Sequence, residues 1–238
     1  MPRDTLTRDQ IVRTAVDLLD AEGLEGLNMR ALGKRLDSAA TAVYWHVKNK
    51  DNLVLLATDQ VWGELTLPDM DALDWRTAAT EMAIDLYGMF VRHPWLVQAF
   101  AAHVLYGESK ARHDDHSLAV YEAAGFDGAR ADQAVSVVFT YVLGNAAGAA
   151  ATASLTRKLS RDDVTADEQF QDVMVKAKEI GMRYPRLRTR LETPAAADYA
   201  AGPDNSFEFG LQVVLDGLER QLDASLAEKS ATGTGSPS

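Results

Sequence analysis

Apolar residues recur at intervals of three and four along nearly the whole chain, and no stretch alternates with a period of two. The pattern predicts an all-α fold and leaves the helix boundaries to capping and breaking residues. Thr7-Arg8-Asp9-Gln10 has the capping-box form, and Ile11, Ala15, Leu18 and Leu19 follow on one helical face. Gly23 suits the position just past that helix. Asn28 caps a short second helix with Leu32 and Leu36 inward, a break falls at Asp37-Ser38, and a third short helix runs to about His46. Asn49 caps a fourth, with Leu53, Leu56, Ala57 and Val61 on its inner face. Short helices with a tight break before the third make a helix-turn-helix arrangement.

Residues 66–73 read as a linker, after which Asp74 opens a helix that His93-Pro94 closes. Further helices are expected over about 94–105, 109–124 (stopped by Gly125), 128–154, 168–182 and 206–226. Residues 156–167 read as a polar loop and 193–206 as an irregular Ala/Pro/Gly stretch. The expected organisation is a helix-turn-helix module over 1–50, a helical body over 51–226 and a disordered tail over 227–238. The uncharged run Ala134–Ala153 is long enough to span a bilayer. Its Ala and Gly residues supply little insertion energy beside Leu or Phe, so the expectation is a helix buried on all sides and no membrane.

The net charge of −11 hides an asymmetry: residues 1–50 hold eight Lys/Arg against seven Asp/Glu, and the remainder sixteen against twenty-eight. A slightly basic head on an acidic body points the head at a polyanion. The absence of cysteine excludes disulfides, thiolate metal sites and a cysteine nucleophile. No P-loop, G-x-G-x-x-G, G-x-S-x-G or Glu-x-x-His pair occurs, so neither an enzyme nor a cofactor is expected. No apolar leader opens the chain, and the expected location is cytoplasmic.

The third helix carries the most chemistry. Val43 and Val47, four apart, face inward and leave Thr41, Tyr44, Trp45 and His46 outside. An outward aromatic pair beside Arg30, Lys48 and Lys50 fits a duplex, with phosphates on the rim and a groove at the centre. The fourth helix starts at Asn49, so its free N–H groups lie next to Lys50 at a natural phosphate position. The competing reading folds Tyr44 and Trp45 back onto that helix as ordinary packing.

The run Tyr44-Trp45-His46-Val47-Lys48-Asn49-Lys50, preceded by Gly23-Leu24-Glu25-Gly26-Leu27, resembles the DNA-binding domain of the TetR family of bacterial repressors. Phe207-Glu208-Phe209-Gly210-Leu211 with Leu215-Asp216-Gly217-Leu218-Glu219 resembles the last helix of its tetracycline-repressor subgroup. The resemblance implies a homodimer with an N-terminal three-helix helix-turn-helix domain and a C-terminal helical ligand-binding and dimerisation domain. By position it places Arg30 on DNA, Thr41 near base edges, Tyr44 and His46 on phosphates, Trp45 on the groove wall and Lys50 on a phosphate. Ala40 and Ala42 stand where tetracycline repressors have Gln and Thr, which implies a different operator. Asp37 stands in place of a turn glycine.

The positions that hold the drug and its magnesium in those repressors correspond here to Thr66, Met82, Leu86 and Phe100. Magnesium needs oxygen ligands, and the thioether, isobutyl and phenyl groups offer none, so tetracycline–magnesium is an unsuitable effector. An apolar or aromatic organic molecule is expected instead, lined by Trp62, Thr66, Met82, Leu86, Met89, Phe90, Phe100, His103, Val104 and Phe139. Each of these residues reads equally as plain core. His113-Asp114-Asp115-His116 could share a metal at i, i+3 spacing, but the run reads first as a solvated face, and no metal is assigned.

Small residues suggest the dimer seam: Gly144, Gly148 and Ala151 on the long helix, and Gly210 and Gly217 on the last. Helix-interior glycines cost about 0.8–1 kcal/mol each against Ala, which close approach of another helix would justify. Phe207, Leu211, Val214, Leu218 and Leu222 add an apolar stripe, and two such helices per chain would build a two-fold four-helix bundle. The expected function is a ligand-responsive repressor, released from a palindromic operator by a small, mostly apolar or aromatic effector. The alternative is a metal-sensing or architectural helical DNA-binding protein with no organic ligand.

Overall fold

The computed structural model describes residues 6–161, 165–193 and 206–233, and every regular element among them is helical. Four helices build the head and its connector: α1 (Arg8–Gly26), α2 (Met29–Arg35), α3 (Ala40–His46) and α4 (Lys50–Trp62). The capping box closes as expected, with the Gln10 N–H donating to Thr7 Oγ1 at 3.2 Å and the Thr7 N–H to Gln10 Oε1 at 2.9 Å. Asn28 and Asn49 cap α2 and α4 by accepting from Ala31 and Asn52 at 2.8 and 2.7 Å. Gly23 does not end α1 outright: it breaks the helix at φ +72° and helical structure resumes to Gly26. Asp37 takes φ +46°, so this carboxylate residue supplies the left-handed turn that a glycine would otherwise make.

The body comprises α5 (Trp75–Arg92), α6 (Trp95–Ala102), α7 (Glu108–Ala124), α8 (Ala129–Arg161), α9 (Thr165–Gly181), α10 (Pro185–Leu191) and α11 (Ser206–Gly233). Asp74 caps α5, and Gly125 ends α7 at φ +102°. α8 packs against α5, α7 and α11. Arg76 of α5 fastens α11 through Gln212 at 2.9 Å, Glu219 at 3.0 Å and Asp216. The Phe207 ring lies on Tyr87 with centroids 4.1 Å apart, and its carbonyl accepts from the Tyr141 hydroxyl at 2.8 Å.

Four expectations are corrected. Residues 156–161 continue α8 instead of forming a loop, because no Gly or Pro interrupts Thr156–Arg161. α10 was absent from the expected elements, although Pro185 at its first turn is a start signal. The expected disordered tail is helical over 227–233, where Ala-Glu-Lys extends α11 until Gly233; residues 234–238, like most of the expected irregular stretch at 193–206, lie outside the described residues. Nor is α8 buried on all sides: Ala131, Ala134, Val138, Val142, Ala146 and Ala150 form one buried stripe, while Ser136, Val137, Thr140, Gly144, Ala147 and Gly148 are exposed.

Candidate nucleic-acid interface and body cavity

α3 is held by its valines. Val43 and Val47 are buried in the same core as Leu18, Leu19 and Leu32. The i, i+3, i+4 geometry then turns Thr41, Tyr44 and Trp45 to one outer face, with Lys48 in the bend just after the helix. Trp45 is 89% exposed and Tyr44 52%, so neither ring is sealed into the core. Thr41, His46, Lys48 and Arg30 are also exposed. Two large aromatics facing water with cations around them form a patch that burial on a duplex would relieve. Lys50 departs from its expected place: its ammonium donates to the Leu24 carbonyl at 2.6 Å, satisfying an acceptor left open by the break in α1. Arg35 pairs with Glu22 at 3.2 Å.

The body holds a cavity of about 40 Å³ between α5, α7 and α8, with room for only a few water molecules. Ala79, Met82, Ala83 and Leu86 of α5 form one wall, Val135, Val138 and Phe139 of α8 another, and His113, Asp114, Ser117, Val120 and Tyr121 of α7 the third. Of the residues expected to line it, Met82, Leu86 and Phe139 do so. Trp62, Met89 and Phe90 are fully buried elsewhere in the core, and Phe100 packs against Trp62, Phe90 and Phe139. Thr66 is exposed on the linker, where its N–H donates to Asp85 at 2.9 Å, and Val104 is 86% exposed beyond the end of α6. His103 is the residue that closes α6 and does not reach the cavity.

Sequence reasoning missed the polar end of this cavity. His113 is buried rather than solvated, its ring edge-on to Trp62 at 4.9 Å, and Ser117 donates to the His113 carbonyl at 2.8 Å. The spacing of His113, Ser117, Val120 and Tyr121 marks an inward face that the charged HDDH run obscured. Lys110 bonds Asp114 at 2.5 Å and lies 5.1 Å above the Trp62 ring. Half-burial works against ionising Asp114, but the neighbouring His113 ring and the Lys110 ammonium outweigh it and hold the carboxyl below the usual range. Burial pushes the Tyr121 phenol well above its ordinary value. Among the described residues no three potential metal ligands gather. Thr58 Oγ1 and Trp62 Nε1, both on α4, and His116 Nε2 on α7 are buried without a protein partner.

The expected dimer residues divide. A Cβ on Gly144, Gly148 or Gly217 would meet nothing within 4 Å. Gly210 faces inward, where a Cβ would collide with the Tyr141 hydroxyl. Leu211 is buried in the chain's own core, with Val214 and Leu218 half-buried against it, because the Phe207–Leu211–Leu215 face of α11 covers α5 and α8. The outward apolar residues are instead Phe209, Val213 and Val137, at 73%, 50% and 47% exposure.

A helix-turn-helix whose third helix presents bare aromatics, joined by α4 to a helical body with an internal cavity, defines a DNA-binding transcriptional regulator. Residues 11–57 match the family of bacterial regulatory proteins of the tetR type, and residues 67–222 match the tetracycline repressor-like C-terminal domain. The chain belongs to the TetR family and is a ligand-responsive DNA-binding repressor. It is 31% identical over 222 residues to the transcriptional repressor DrrR1 of Streptomyces coeruleorubidus, covering 92% of this chain and 79% of that one. A helix-turn-helix transcriptional regulator of Saccharopolyspora erythraea is 37% identical over 140 residues, spanning 59% of each chain. The crystal structure of ActR of Streptomyces coelicolor in complex with actinorhodin superposes with a TM-score of 0.69 at 26% identity, over 91% of this chain and 96% of that one.

Proposed function

We propose that the chain acts in the cytoplasm as a homodimer that places two α3 helices in successive major grooves of a palindromic operator and leaves it when an effector enters the body. The observation that carries the reading is the exposure of Trp45 and Tyr44 on a helix otherwise fixed by buried valines. Residues 1–50 act as the reading module and 51–226 as the effector and dimerisation body. Thr41 reads base edges; Arg30, Tyr44, His46 and Lys48 take phosphates; Trp45 lies on the groove wall; and Lys50 joins them by exchanging its Leu24 carbonyl for a phosphate. The dimer buries the open glycines of α8 with Phe209, Val213 and Val137, which gives the long apolar helix a protein cover rather than a lipid one.

The effector is a small aromatic or largely apolar molecule with at least one oxygen function, a chemistry that suits Met82, Leu86, Val138 and Phe139 beside His113, Asp114 and Ser117. Actinorhodin bound to ActR is an example from a similar protein. The cavity is too small for a ligand of the usual 300–1,000 Å³ site, so binding has to part α7 from α5 and α8. α7 is tied to α4, with Asp59 accepting from Ser109 and Lys110 and the Trp62 ring on His113, so its displacement drags the helix that carries the head.

The test is selection of a preferred duplex from a random library, followed by titration of that duplex at fixed salt. Trp45→Ala should weaken binding by about tenfold or more, while its melting temperature stays near that of the parent because the ring makes no packing contribution. No duplex preference, or an unaltered affinity in the variant, overturns the reading.

A further inference from the structure

We propose that His93 is a positioning residue, the centre of a proton-controlled clasp that pins the DNA-reading head to the body. The imidazole sits at the corner between α5 and α6 and is only 8% exposed. Its Nδ1 lies 2.8 Å from Asp20 Oδ1 on α1, and its Nε2 lies 3.3 Å from Glu64 Oε2 just beyond α4. The indole N–H of Trp95, the first residue of α6, donates to the same Asp20 oxygen at 2.8 Å. One ring thus touches both segments that belong to the head and its connector, from a corner that belongs to the body.

The chemistry of the ring makes this junction conditional. A carboxylate only accepts, and a neutral imidazole has one N–H and one lone pair. Neutral His93 satisfies one carboxylate and turns a lone pair toward the other; only the imidazolium donates to both. The charged groups that face it are Asp20 from α1 and Glu64 from the α4–α5 segment, while α6 contributes the uncharged indole of Trp95. Burial disfavours the cation, but hydrogen bonding and charge from Asp20 first, then Glu64, outweigh it and hold His93 above the ordinary imidazole range. A group raised in this way contributes fully below its unfolded value of about 6.5 and loses that contribution as pH climbs through the folded value. The clasp is therefore shut in mildly acidic solution and loosens as pH rises, because the neutral ring can donate to only one of the two carboxylates and no longer holds α1 and the end of α4 at once.

The chain has no cysteine, so Arg8→Cys on α1 and Glu122→Cys on α7, both exposed positions, give a clean spin-label pair reporting the head against the body. The distance distribution should be narrow at low pH and broaden or shift at high pH. With His93→Gln added, the distribution at every pH should resemble the parent's high-pH one. A distribution that ignores pH, or a pH response that survives His93→Gln, overturns the proposal. The unsubstituted chain supplies a second measurement: nitrogen NMR of its imidazoles should find both His93 nitrogens protonated in mildly acidic solution, with a midpoint above 6.5. A midpoint at or below 6.5 refutes the clasp. Neither measurement uses DNA or an effector, so the result stands apart from the operator reading.

Discussion

Asp59 offers a direct test of how α4 and α7 are joined. Its Oδ1 accepts from the backbone N–H groups of Ser109 at 2.8 Å and Lys110 at 3.2 Å, so a residue of α4 serves as the N-cap of α7. Gly107, which precedes α7, has no side-chain oxygen to do this itself. Asp59→Ala removes the acceptor and the negative charge together. Losing a cap costs about 0.5–2 kcal/mol and losing a favourable charge at a helix N-terminus about 0.3–1 kcal/mol more, or roughly 1–3 kcal/mol in all. In a chain of this size each kcal/mol moves the melting temperature by about 2–4 °C, so calorimetry at fixed protein concentration should find a drop of roughly 2–12 °C. Gly107→Ala supplies an internal control, since its Cβ would collide with the same carboxylate. Because both changes break one junction, the double variant should fall short of the summed losses by about 1 kcal/mol. Strict additivity, or a drop under about 1 °C for Asp59→Ala, refutes the cross-helix cap.

Gly210→Ala should destabilise by about 1–3 kcal/mol in urea titration through its collision with the Tyr141 hydroxyl, and adding Tyr141→Phe should restore part of the loss. Phe209→Asp should leave chain stability within about 0.5 kcal/mol, because the ring is exposed, yet lower the sedimentation-derived association constant. An unchanged association constant removes Phe209 from the dimer seam.

Much of this architecture is legible because capping is local chemistry. Thr7, Asn28, Asn49 and Asp74 each accept from an N–H three residues ahead, and that arrangement needs nothing from the rest of the chain. The outward face of α3 is legible for a similar reason, as two valines four apart determine which way its aromatics point. The roles of His93 and His113 were hidden, because their partners stand on other helices: Asp20 is 73 residues away from His93. The orientation of α11 was misread in part for the same cause. Gly210 signals close approach correctly, but the approaching group is the chain's own Tyr141. Periodicity identifies a buried stripe without saying which neighbour covers it.

The length of α8 has a mechanical consequence. Its 33 residues make a rod of roughly 50 Å. The open glycines lie near its middle, and toward its C-terminal end the Arg157 guanidinium lies against the bend in α1, 3.4 Å from where a Cβ on Gly23 would stand. A pivot of a few degrees about the glycines would swing that end by about 1 Å, enough to compress or open the crevice bordered by Glu22, Gly23, Gln98 and Ser154. If those glycines form the seam of the proposed dimer, a tilt applied there would be carried along the rod to the bent first helix of each protomer.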